Sequence, residues 1–502
     1  MATALTTASQ FEAPLSMLRQ EIVHSDLLPK VYAHYRPLLA DGLCFFLKQL
    51  SPIRLRQILT EQMCLPKSVS TAKRVVALLS HSPVLHKLGQ VVSRDPRLNA
   101  GFRKQLQGLE SMAPQIPLAQ VLRLLGKEFK SWRAAGIEVG PQPLAEGSVA
   151  VILPFVWRDS RSCARHGIFK LLKPAVCRKL EEDLEILSAL GEFLDDECGR
   201  FHLPALDYRD SFETIRDLLL HEVRFDGEQA NLAEAAERYG SMRSVTIPAL
   251  FPFCSPRLTA MVRIFGQKIH GKESSDRWSR ELLARVVVQA LIAGPMFSSE
   301  PAALFHADPH AGNLLITPDG GLGILDWSLT GRMRKRERIE LVQVLVGALT
   351  LDFQRMEQAL ERLSQRKPDQ TALRQILHAS LHELRGATTP GITWLIQLID
   401  KVVMGAGIRL DADLLLFRKS LLTLTGVVSD LTRTDERNRN ALLDGAVNTV
   451  FLNHWVVEWP KRFQAPLDDR SFTTHLSTAD LGWLMWSTPI TFARRWASYS
   501  DV

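Results

Sequence analysis

The sequence predicts an α+β protein that is mostly helical and has two lobes, preceded by a helical extension at the N-terminus. Up to Ala135, apolar residues recur at three- and four-residue spacing, which is typical of amphipathic helices. From Gly136, several glycines and prolines and a β-branched run indicate turns and strands, and after Gly266 the helical spacing returns. We therefore predict four segments: a helical extension (1–135), a lobe of strands and helices (136–266), a helical lobe (267–444) and a tryptophan-rich tail (445–502).

The elements of the first lobe follow from local patterns. The runs GSVAVILPFVW and HGIFKLLKP predict two strands because they are rich in β-branched and aromatic residues. KPAVCRKLEEDLEILSALGEFLDD and DSFETIRDLLLHEVRFDGEQANLAEAAERYG show the apolar spacing of long amphipathic helices. SVTIPALF and RLTAMVRIFG predict further strands. The helices of the second lobe are interrupted by one segment rich in Gly, Pro and Asp, between His306 and Gly331.

Composition excludes several classes of protein. The chain has 502 residues, with 61 Lys and Arg against 54 Asp and Glu, a formal net charge of +7. This excess is small for the length, so we expect no nucleic-acid partner. A hydrophobic fraction of 46% and a charged fraction of 23% are typical of globular proteins and exclude a disordered chain. The 6 cysteines form no CxxC pair, which favours reduced thiols in a cytoplasmic protein over a disulfide framework or zinc module.

No segment has the pattern of a targeting or membrane-spanning sequence. The first residues lack a basic stretch followed by an apolar one, so we expect no signal peptide. Uncharged stretches are shorter than the roughly 18 residues that a spanning helix needs. In the tail, Trp483, Trp486 and Trp496, beside Arg494 and Arg495, fit either core packing or an interfacial helix. We favour packing, and expect a cytoplasmic protein with at most peripheral membrane contact.

The segment with the clearest chemistry is LFHADPHAGNLLITPDGGLGILDWSLTGRM, residues 304–333. Phosphoryl transfer needs magnesium held against phosphates and a carboxylate near the attacking hydroxyl. An Asp-x-x-x-x-Asn loop followed by a strand that ends in Asp provides these groups. We expect Asp308 to orient or deprotonate the acceptor, and Asn313 and Asp326 to present oxygen ligands to Mg²⁺. His306 is predicted to brace the loop, while His310 is either close to the metal or a turn residue.

These residues resemble the UbiB-type, or AarF-like, family of atypical kinases. The kinase loop of that family reads approximately HADPHPGN and is followed by Asp-Phe-Gly and a GR-containing segment; this chain has HADPHAGN and LDWSLTGRM. Upstream, SPVLHKLGQVVSRDP resembles the regulatory KxGQ element of the family and assigns it to Lys87, Gly89 and Gln90. The resemblance implies a bilobal protein-kinase-like fold whose helical N-terminal extension carries the KxGQ element.

The nucleotide site is implied by the same resemblance. PLAEGSVA resembles the alanine-rich loop that replaces a glycine-rich phosphate loop, and implies that Ala145, Gly147 and Ser148 are near the nucleotide. RLTAMVRIFG resembles the strand before the hinge, which implies that Met261 is beside the base. LLLFRKSLLTLTGVVSDL, residues 414–431, resembles a late helix of bacterial members.

Two further residues complete the implied machinery. GIFKLLKPA resembles the strand that bears the nucleotide lysine, here Lys170, and HEVRFDGEQANLAEAAER resembles the helix that bears its glutamate, here Glu228. Lys170 is expected to neutralise the α- and β-phosphates, and Glu228 to hold it by an ion pair.

The chain departs from the family pattern at three places. Asp-Phe-Gly reads Asp326-Trp327-Ser328, so the metal aspartate remains and the next residue is bulkier. The acidic ExD pair reads Glu222-Val223-Arg224, and the alanine-rich loop reads Ala145-Glu146-Gly147. An inward-pointing Glu146 would repel phosphate.

The resemblance implies an ATP- and Mg²⁺-dependent atypical kinase or ATPase that acts on, or assists the metabolism of, a lipid or small molecule and does not phosphorylate proteins. The resemblance implies three binding partners: a nucleotide, a lipid or small-molecule substrate, and a partner biosynthetic enzyme. Two alternatives stay open. A small-molecule phosphotransferase of the aminoglycoside or choline kinase type fits LDWS, although those enzymes lack a KLGQ element. A pseudokinase scaffold fits the changes at Trp327, Ser328 and Arg224.

Overall fold

Helices predominate in the structure, a computed structural model, and the longer strands lie where the sequence patterns predict them. The chain forms two compact units, one built from Met1–Ala230 and Ala249–Arg263 and the other from Asn231–Pro248 and Ile264–Val502. The division into four segments stays a prediction. The structure describes residues 2–66, 68–93, 98–110, 116–147, 149–158, 164–173, 176–203, 208, 212–213, 215–216, 219–220, 223–269, 277–384 and 390–497.

The first unit opens with the helices that the apolar spacing predicts. Proline at the first turns of the second and third helices fits the missing N–H of that residue, which needs no helical partner there. Leu38, Phe46 and Leu187 are among the side chains that these helices bury in a shared apolar core. The helices are α1 (Ala2–Val23), α2 (Arg36–Gln49), α3 (Pro52–Cys64), α4 (Thr71–Leu79), α5 (Pro83–Val92), α6 (Ala100–Gln107), α7 (Leu118–Glu128) and α8 (Val176–Arg200).

The sheet of the first unit is antiparallel and carries the nucleotide lysine of the sequence prediction. Its order is β1-β3-β4-β6, and β2 pairs with the start of β3 along the same edge that β1 occupies farther on. Phe155 and Phe169 stack at 4.1 Å between ring centroids in the core on one face. The strands are β1 (Ile137–Val139), β2 (Ala145–Glu146), β3 (Ala150–Arg158), β4 (Ala164–Leu172) and β6 (Leu258–Val262).

Helix α9 (Phe225–Tyr239) begins in the first unit and continues in the second. Asp226 and Glu228 lie in its first turn, where the partial positive charge of a helix N-terminus favours carboxylates.

The second unit contains short strands in two small sheets. One sheet has the order β5-β10-β9-β7, and the other pairs β8 with β11 antiparallel. Strands of both sheets belong to the segment with the predicted chemistry, residues 304–333. The strands are β5 (Val245–Thr246), β7 (Gln267–Lys268), β8 (Ala302–His306), β9 (Leu314–Ile316), β10 (Leu322–Ile324) and β11 (Thr330–Arg334).

Helices form the remainder of the second unit. A π-helical turn, Gln289–Ala293, follows the first of them. None of the helices in the described part of the chain is long and apolar enough to cross a membrane. The helices are α10 (Arg277–Val288), α11 (Lys335–Thr350), α12 (Phe353–Leu363), α13 (Gln370–Leu384), α14 (Ile392–Gly405), α15 (Ala412–Thr432), α16 (Glu436–Arg462) and α17 (Thr478–Ala497).

Two tryptophans of the tail are exposed, so the core-packing interpretation is wrong for them. Trp483 and Trp486 on α17 expose 47% and 72% of their surface. Polar side chains elsewhere in the tail are buried: Arg462 forms an ion pair with Glu458 and donates to Thr474 Oγ1 at 2.6 Å. A buried charge is costly unless it is paired and hydrogen-bonded, and both terminal nitrogens of Arg462 make hydrogen bonds.

Candidate active site

The lysine on β4 forms an ion pair with the first turn of α9. Lys170 Nζ is 2.7 Å from Glu228 Oε1 and 2.8 Å from Oε2. The two side chains expose 12% and 3% of their surface. Such an enclosed, charge-assisted pair holds the ammonium group in one position, which a phosphate-binding lysine requires. The role of the pair in nucleotide binding stays a prediction.

Two neighbours of Glu228 that sequence reasoning missed support the pair. Lys170 Nζ lies 5.4 Å from the centroid of the buried Phe225 ring, within the range of a cation–π contact. Gln229 Nε2 donates to Thr259 Oγ1 at 3.0 Å, and Thr259 is paired with Lys170 in the register of β4 and β6. The spacing from Phe225 to Glu228 places both on one face of α9, and that spacing is the signal that could have identified Phe225.

The loop that resembles the alanine-rich element begins on β2. Ala145 and Glu146 pair with β3, and the Gly147 amide donates to the first carbonyl of that strand at 2.9 Å. Glu146 is buried, and its Oε1 lies 2.7 Å from Lys173 Nζ. This ion pair offsets the negative charge that would otherwise oppose a phosphate. Ser148 lies outside the described residues.

Met261 lies on β6, opposite Ile168 on β4, and exposes 6% of its surface. It also forms an isolated antiparallel bridge with Leu250. The strand position is thus defined by hydrogen bonding on both sides. Contact between Met261 and a nucleotide base stays a prediction.

The KLGQ element lies on α5, with Lys87 and Gln90 half-buried. A Cβ atom on Gly89 would lie 2.9 Å from Leu109 Cδ1 and 3.1 Å from Leu79 Cδ1, so the glycine permits close packing of α5 against its neighbours. Gln90 Nε2 donates to the Leu109 carbonyl at 3.4 Å. The glycine and glutamine therefore have a packing role in the first unit, and a regulatory role for the element stays a prediction.

The start of α5 is tied to α8 by buried polar contacts. Ser82 Oγ donates to Asp183 Oδ2 at 2.6 Å and accepts from the Leu85 amide at 3.1 Å. Arg54 Nη1 lies 2.7 Å from Asp183 Oδ1. Burial raises the pKa of the Asp183 carboxyl group, and the Arg54 contact opposes that rise. These contacts, between residues far apart in sequence, orient the helix that carries the KLGQ element.

Arg224, which stands where the family has an acidic residue, points to a neighbouring carboxylate. Its Nη2 lies 3.1 Å from Asp226 Oδ2, and both side chains are exposed. Glu222, the other residue of that element, lies outside the described residues.

In the second unit, His306 braces the loop that begins at the end of β8. The Asp308 amide donates to His306 Nδ1 at 3.1 Å, and His306 Nε2 lies 3.0 Å from the Leu325 carbonyl. These two contacts fit a neutral ring protonated at Nε2. Burial lowers the pKa of His306 and so keeps it neutral. The ring thus contacts both the Asp308 loop and the residue before Asp326.

A tight turn places Asn313 close to Asp308. Its Nδ2 donates to the Asp308 carbonyl at 3.2 Å, and Oδ1 is the side-chain oxygen that a metal ion would use. The turn is a short 3₁₀ helix, Ala311–Asn313, capped by His310 Nδ1, which accepts from the Gly312 amide at 3.0 Å. Of the two roles left open for His310, the structure supports that of a turn residue.

Asp326 follows β10 and has a left-handed backbone, with φ of 53°. Aspartate tolerates this conformation better than most residues, and such strain is often found at functional sites. The Ser328 amide donates to Asp326 Oδ1 at 3.3 Å. The Leu325 amide donates to the Asn313 carbonyl at 2.8 Å, which places the residues before Asp326 directly beside Asn313.

Trp327, in place of the family phenylalanine, is fully buried. Its ring lies 5.0 Å from the His306 ring and 5.8 Å from the Tyr239 ring, measured between centroids. Its carbonyl accepts from Asn231 Nδ2 on α9 at 3.2 Å. The larger ring is therefore a packed part of the site segment, and its contacts hold the backbone beside Asp326.

Helix α15 contributes two contacts that sequence reasoning missed. Lys419 Nζ lies 3.5 Å from Asp308 Oδ1, and Ser420 Oγ donates to the His306 carbonyl at 2.8 Å. The resemblance of residues 414–431 to a late helix of the family includes both residues. Sequence spacing alone, however, does not show that either of them contacts the Asp308 loop.

The donors in the second unit suit magnesium. Asn313 and Asp326 offer oxygen atoms, the donor type that Mg²⁺ prefers, and Mg²⁺ commonly completes its shell with substrate phosphates and water. No group of three or more His, Cys, Asp and Glu side chains that could hold a metal occurs among the residues that the structure describes.

An enclosed Lys–Glu pair on a sheet and helix, and an Asp-x-x-x-x-Asn loop followed by a strand ending in Asp, define a kinase-like class of protein. Residues 108–360, half of the chain, match the family model described as the ABC1 atypical kinase-like domain. The chain therefore belongs to this family. The match confirms the resemblance and the α+β, bilobal, mostly helical kinase-like fold predicted from sequence.

Similar proteins carry related names. An uncharacterized chloroplastic aarF domain-containing protein kinase of Arabidopsis thaliana is 29% identical over 55% of this chain and 51% of its own length. A probable protein kinase UbiB of Haemophilus ducreyi is 24% identical over 56% of this chain and 53% of its own. A solved chain from the complex of Rv3197 with erythromycin, from Mycobacterium tuberculosis, is 19% identical, with a TM-score of 0.47 over 69% of this chain and 87% of that one. The chain spans about half the length of these two curated relatives.

Proposed function

We propose that the protein is an ATP- and Mg²⁺-dependent atypical kinase or ATPase that acts on, or assists the metabolism of, a lipid or small molecule. The observation that carries the proposal is the presence of five polar residues of the kinase pattern, an ion pair in the first unit and three residues in the second, within a chain of the atypical kinase family. They are Lys170, Glu228, Asp308, Asn313 and Asp326. A chain that had lost phosphoryl chemistry has no physical need for all five.

The proposed roles follow from charge and position. Lys170, held by Glu228, neutralises the α- and β-phosphates of the nucleotide. Asn313 and Asp326 hold Mg²⁺, which when bound offsets the negative charge of the phosphates. Asp308 orients the attacking hydroxyl or water and accepts its proton. His306, neutral and buried, fixes the Asp308 backbone and is not itself a proton donor to the substrate.

We propose that the loop of Ala145 and Gly147, together with Ser148, contacts the phosphates and that Met261 contacts the base. The Glu146–Lys173 ion pair supports this role because it offsets the carboxylate nearest the loop. A regulatory role for Lys87, Gly89 and Gln90, a partner biosynthetic enzyme and a cytoplasmic location with at most peripheral membrane contact belong to the same proposal.

The test is a turnover assay on the full chain with ATP, in Mg²⁺ and in excess EDTA. We expect Mg²⁺-dependent phosphate release that lipid vesicles or a small alcohol increase, with no phosphate incorporated into a protein substrate such as casein. Transfer to choline or an aminoglycoside would favour the small-molecule phosphotransferase instead, a hypothesis that the Asp326-Trp327 pair also fits. Nucleotide binding without turnover under every condition would favour a pseudokinase scaffold.

A further inference from the structure

A lysine from outside the site segment approaches the proposed acceptor-orienting carboxylate. Lys419, on α15, places its Nζ 3.5 Å from Asp308 Oδ1. The Lys419 side chain exposes 37% of its surface and the Asp308 side chain 15%, so the contact is partly enclosed. Ion pairs of this kind are held more firmly than those on an open surface, where screening and side-chain entropy remove most of the gain.

The part of α15 that carries Lys419 is held in place by contacts of two nearby residues, Phe417 and Ser420. Ser420 is fully buried, and its Oγ donates to the His306 carbonyl at 2.8 Å. Phe417 meets the Phe305 ring edge-on at 5.2 Å between centroids. Both contacts reach the end of β8 or the residue before it, immediately ahead of the Asp308 loop. Helix α15 therefore packs against the end of β8, the strand that precedes Asp308. Lys419 lies on this part of the helix.

The site segment has no strong cation of its own near Asp308. From Leu304 to Gly331 the chain contains no lysine or arginine. Phosphoryl transfer depends on positioning and on electrostatic stabilisation of charge on the transferred group. A carboxylate that must hold an acceptor hydroxyl in line is effective only when its own orientation is restricted. A cation delivered from another helix provides that restriction.

We propose that Lys419 is a positioning residue that holds the Asp308 carboxylate in its productive orientation. The inference rests on the proposed function, because it assigns Lys419 a part in the same phosphoryl chemistry. Lys419 acts through Asp308 and has no part in binding the nucleotide. Its removal therefore lowers the rate of turnover and leaves nucleotide affinity unchanged.

The test compares Lys419→Met, Lys419→Arg and Lys419→Gln in the full chain. We expect kcat for ATP turnover to fall about 10- to 100-fold in Lys419→Met, the size of loss that misplaced catalytic groups produce. The KM for MgATP should change by less than about twofold, because the substitution removes no contact with the bound nucleotide. Lys419→Arg should recover most of the rate because it retains the charge, and Lys419→Gln should not.

Lys401→Met is the matched control. Lys401 lies on the neighbouring α14 and forms an exposed ion pair with Glu383 at 2.9 Å. Removing it deletes a lysine–carboxylate pair in the same unit without touching the site segment. We expect wild-type kcat and KM in this variant.

A double-mutant cycle separates positioning from a merely structural role. If Lys419 acts through Asp308, then Lys419→Met lowers the single-turnover rate in wild type and not in the Asp308→Asn background. Equal losses in both backgrounds would overturn the inference, as would a Lys419→Met variant with the kcat of Lys401→Met. In either case turnover by the wild type would leave the proposed function standing. A wild-type chain with neither turnover nor MgATP binding would overturn both.

Discussion

Replacing Asp308 by asparagine lowers the rate of ATP turnover by about 10²- to 10⁴-fold, the contribution typical of a positioned general base. The substitution keeps the size of the side chain and removes its charge. The contact that ties this residue to Asn313 uses the Asp308 main-chain carbonyl, so the amide variant retains it. We therefore expect the melting temperature and the affinity for MgATP to stay close to those of the wild type.

The measurement is single-turnover phosphate release together with calorimetric MgATP binding. Asp319→Asn is the control, because Asp319 is exposed in the turn between β9 and β10 and lies in the same segment. It should turn over ATP at the wild-type rate. An Asp308→Asn variant with wild-type turnover would show that the acceptor-orienting role is wrongly assigned.

Replacing Trp327 by alanine lowers the free energy of unfolding by about 3–5 kcal/mol, the usual cost of truncating a fully buried aromatic side chain. Trp327 has no exposed surface and packs against His306 and Tyr239. The loss combines the apolar surface that is no longer buried with the cavity that remains. Phenylalanine, the family residue at this position, leaves a smaller cavity and should cost less.

Denaturant unfolding of the full chain, followed by far-UV circular dichroism, measures this loss. Trp486→Ala is the matched control, since Trp486 lies in the same unit and exposes 72% of its surface. Its unfolding free energy should stay within about 0.5 kcal/mol of the wild type, as for most surface substitutions. Equal stability of Trp327→Ala and Trp486→Ala would mean that Trp327 is not a packed part of the site.

The parts of the fold that sequence could predict are those that short-range patterns determine. Apolar spacing identified the long helix α8, and β-branched runs identified β3 and β4. The single long helix predicted for DSFETIRDLLLHEVRFDGEQANLAEAAERYG is wrong in its extent, because the chain leaves the helical conformation at Val223 and Arg224 and α9 begins only at Phe225. The site segment was predictable because its residues are close in sequence: Asp308 and Asn313 are joined by one turn, and Asp326 follows a two-stranded hairpin. Periodicity and turn chemistry act over the same few residues.

The contacts that sequence could not predict join residues far apart. The hydrogen bond from Ser420 to His306 spans 114 positions, and the approach of Lys419 to Asp308 is of similar range. Nothing local to α15 distinguishes Lys419 from an exposed lysine. The effect of Glu146 on a phosphate could not be predicted from sequence either. It depends on the ion pair with Lys173, which forms only in the folded sheet.

Side-chain exposure in the tail was the least predictable feature. Clusters of aromatic residues usually pack, and this general tendency predicts that Trp483 and Trp486 lie in the core. Arg462 and Glu458 on α16 are buried, and their hydrogen bonds make this ion pair tolerable in the interior. Hydrophobicity alone cannot reveal such a network, since each member is an ordinary surface residue when its partners are ignored.

Calorimetric titration with ATP, in Mg²⁺ and in EDTA, tests the central claim most directly when wild type and Asp326→Asn are compared. We expect saturable binding that depends on Mg²⁺ in the wild type, and a loss of about tenfold or more in that Mg²⁺-dependent affinity when the carboxylate is replaced. Binding to neither form of the nucleotide, or equal Mg²⁺ dependence in both proteins, would contradict the proposed site.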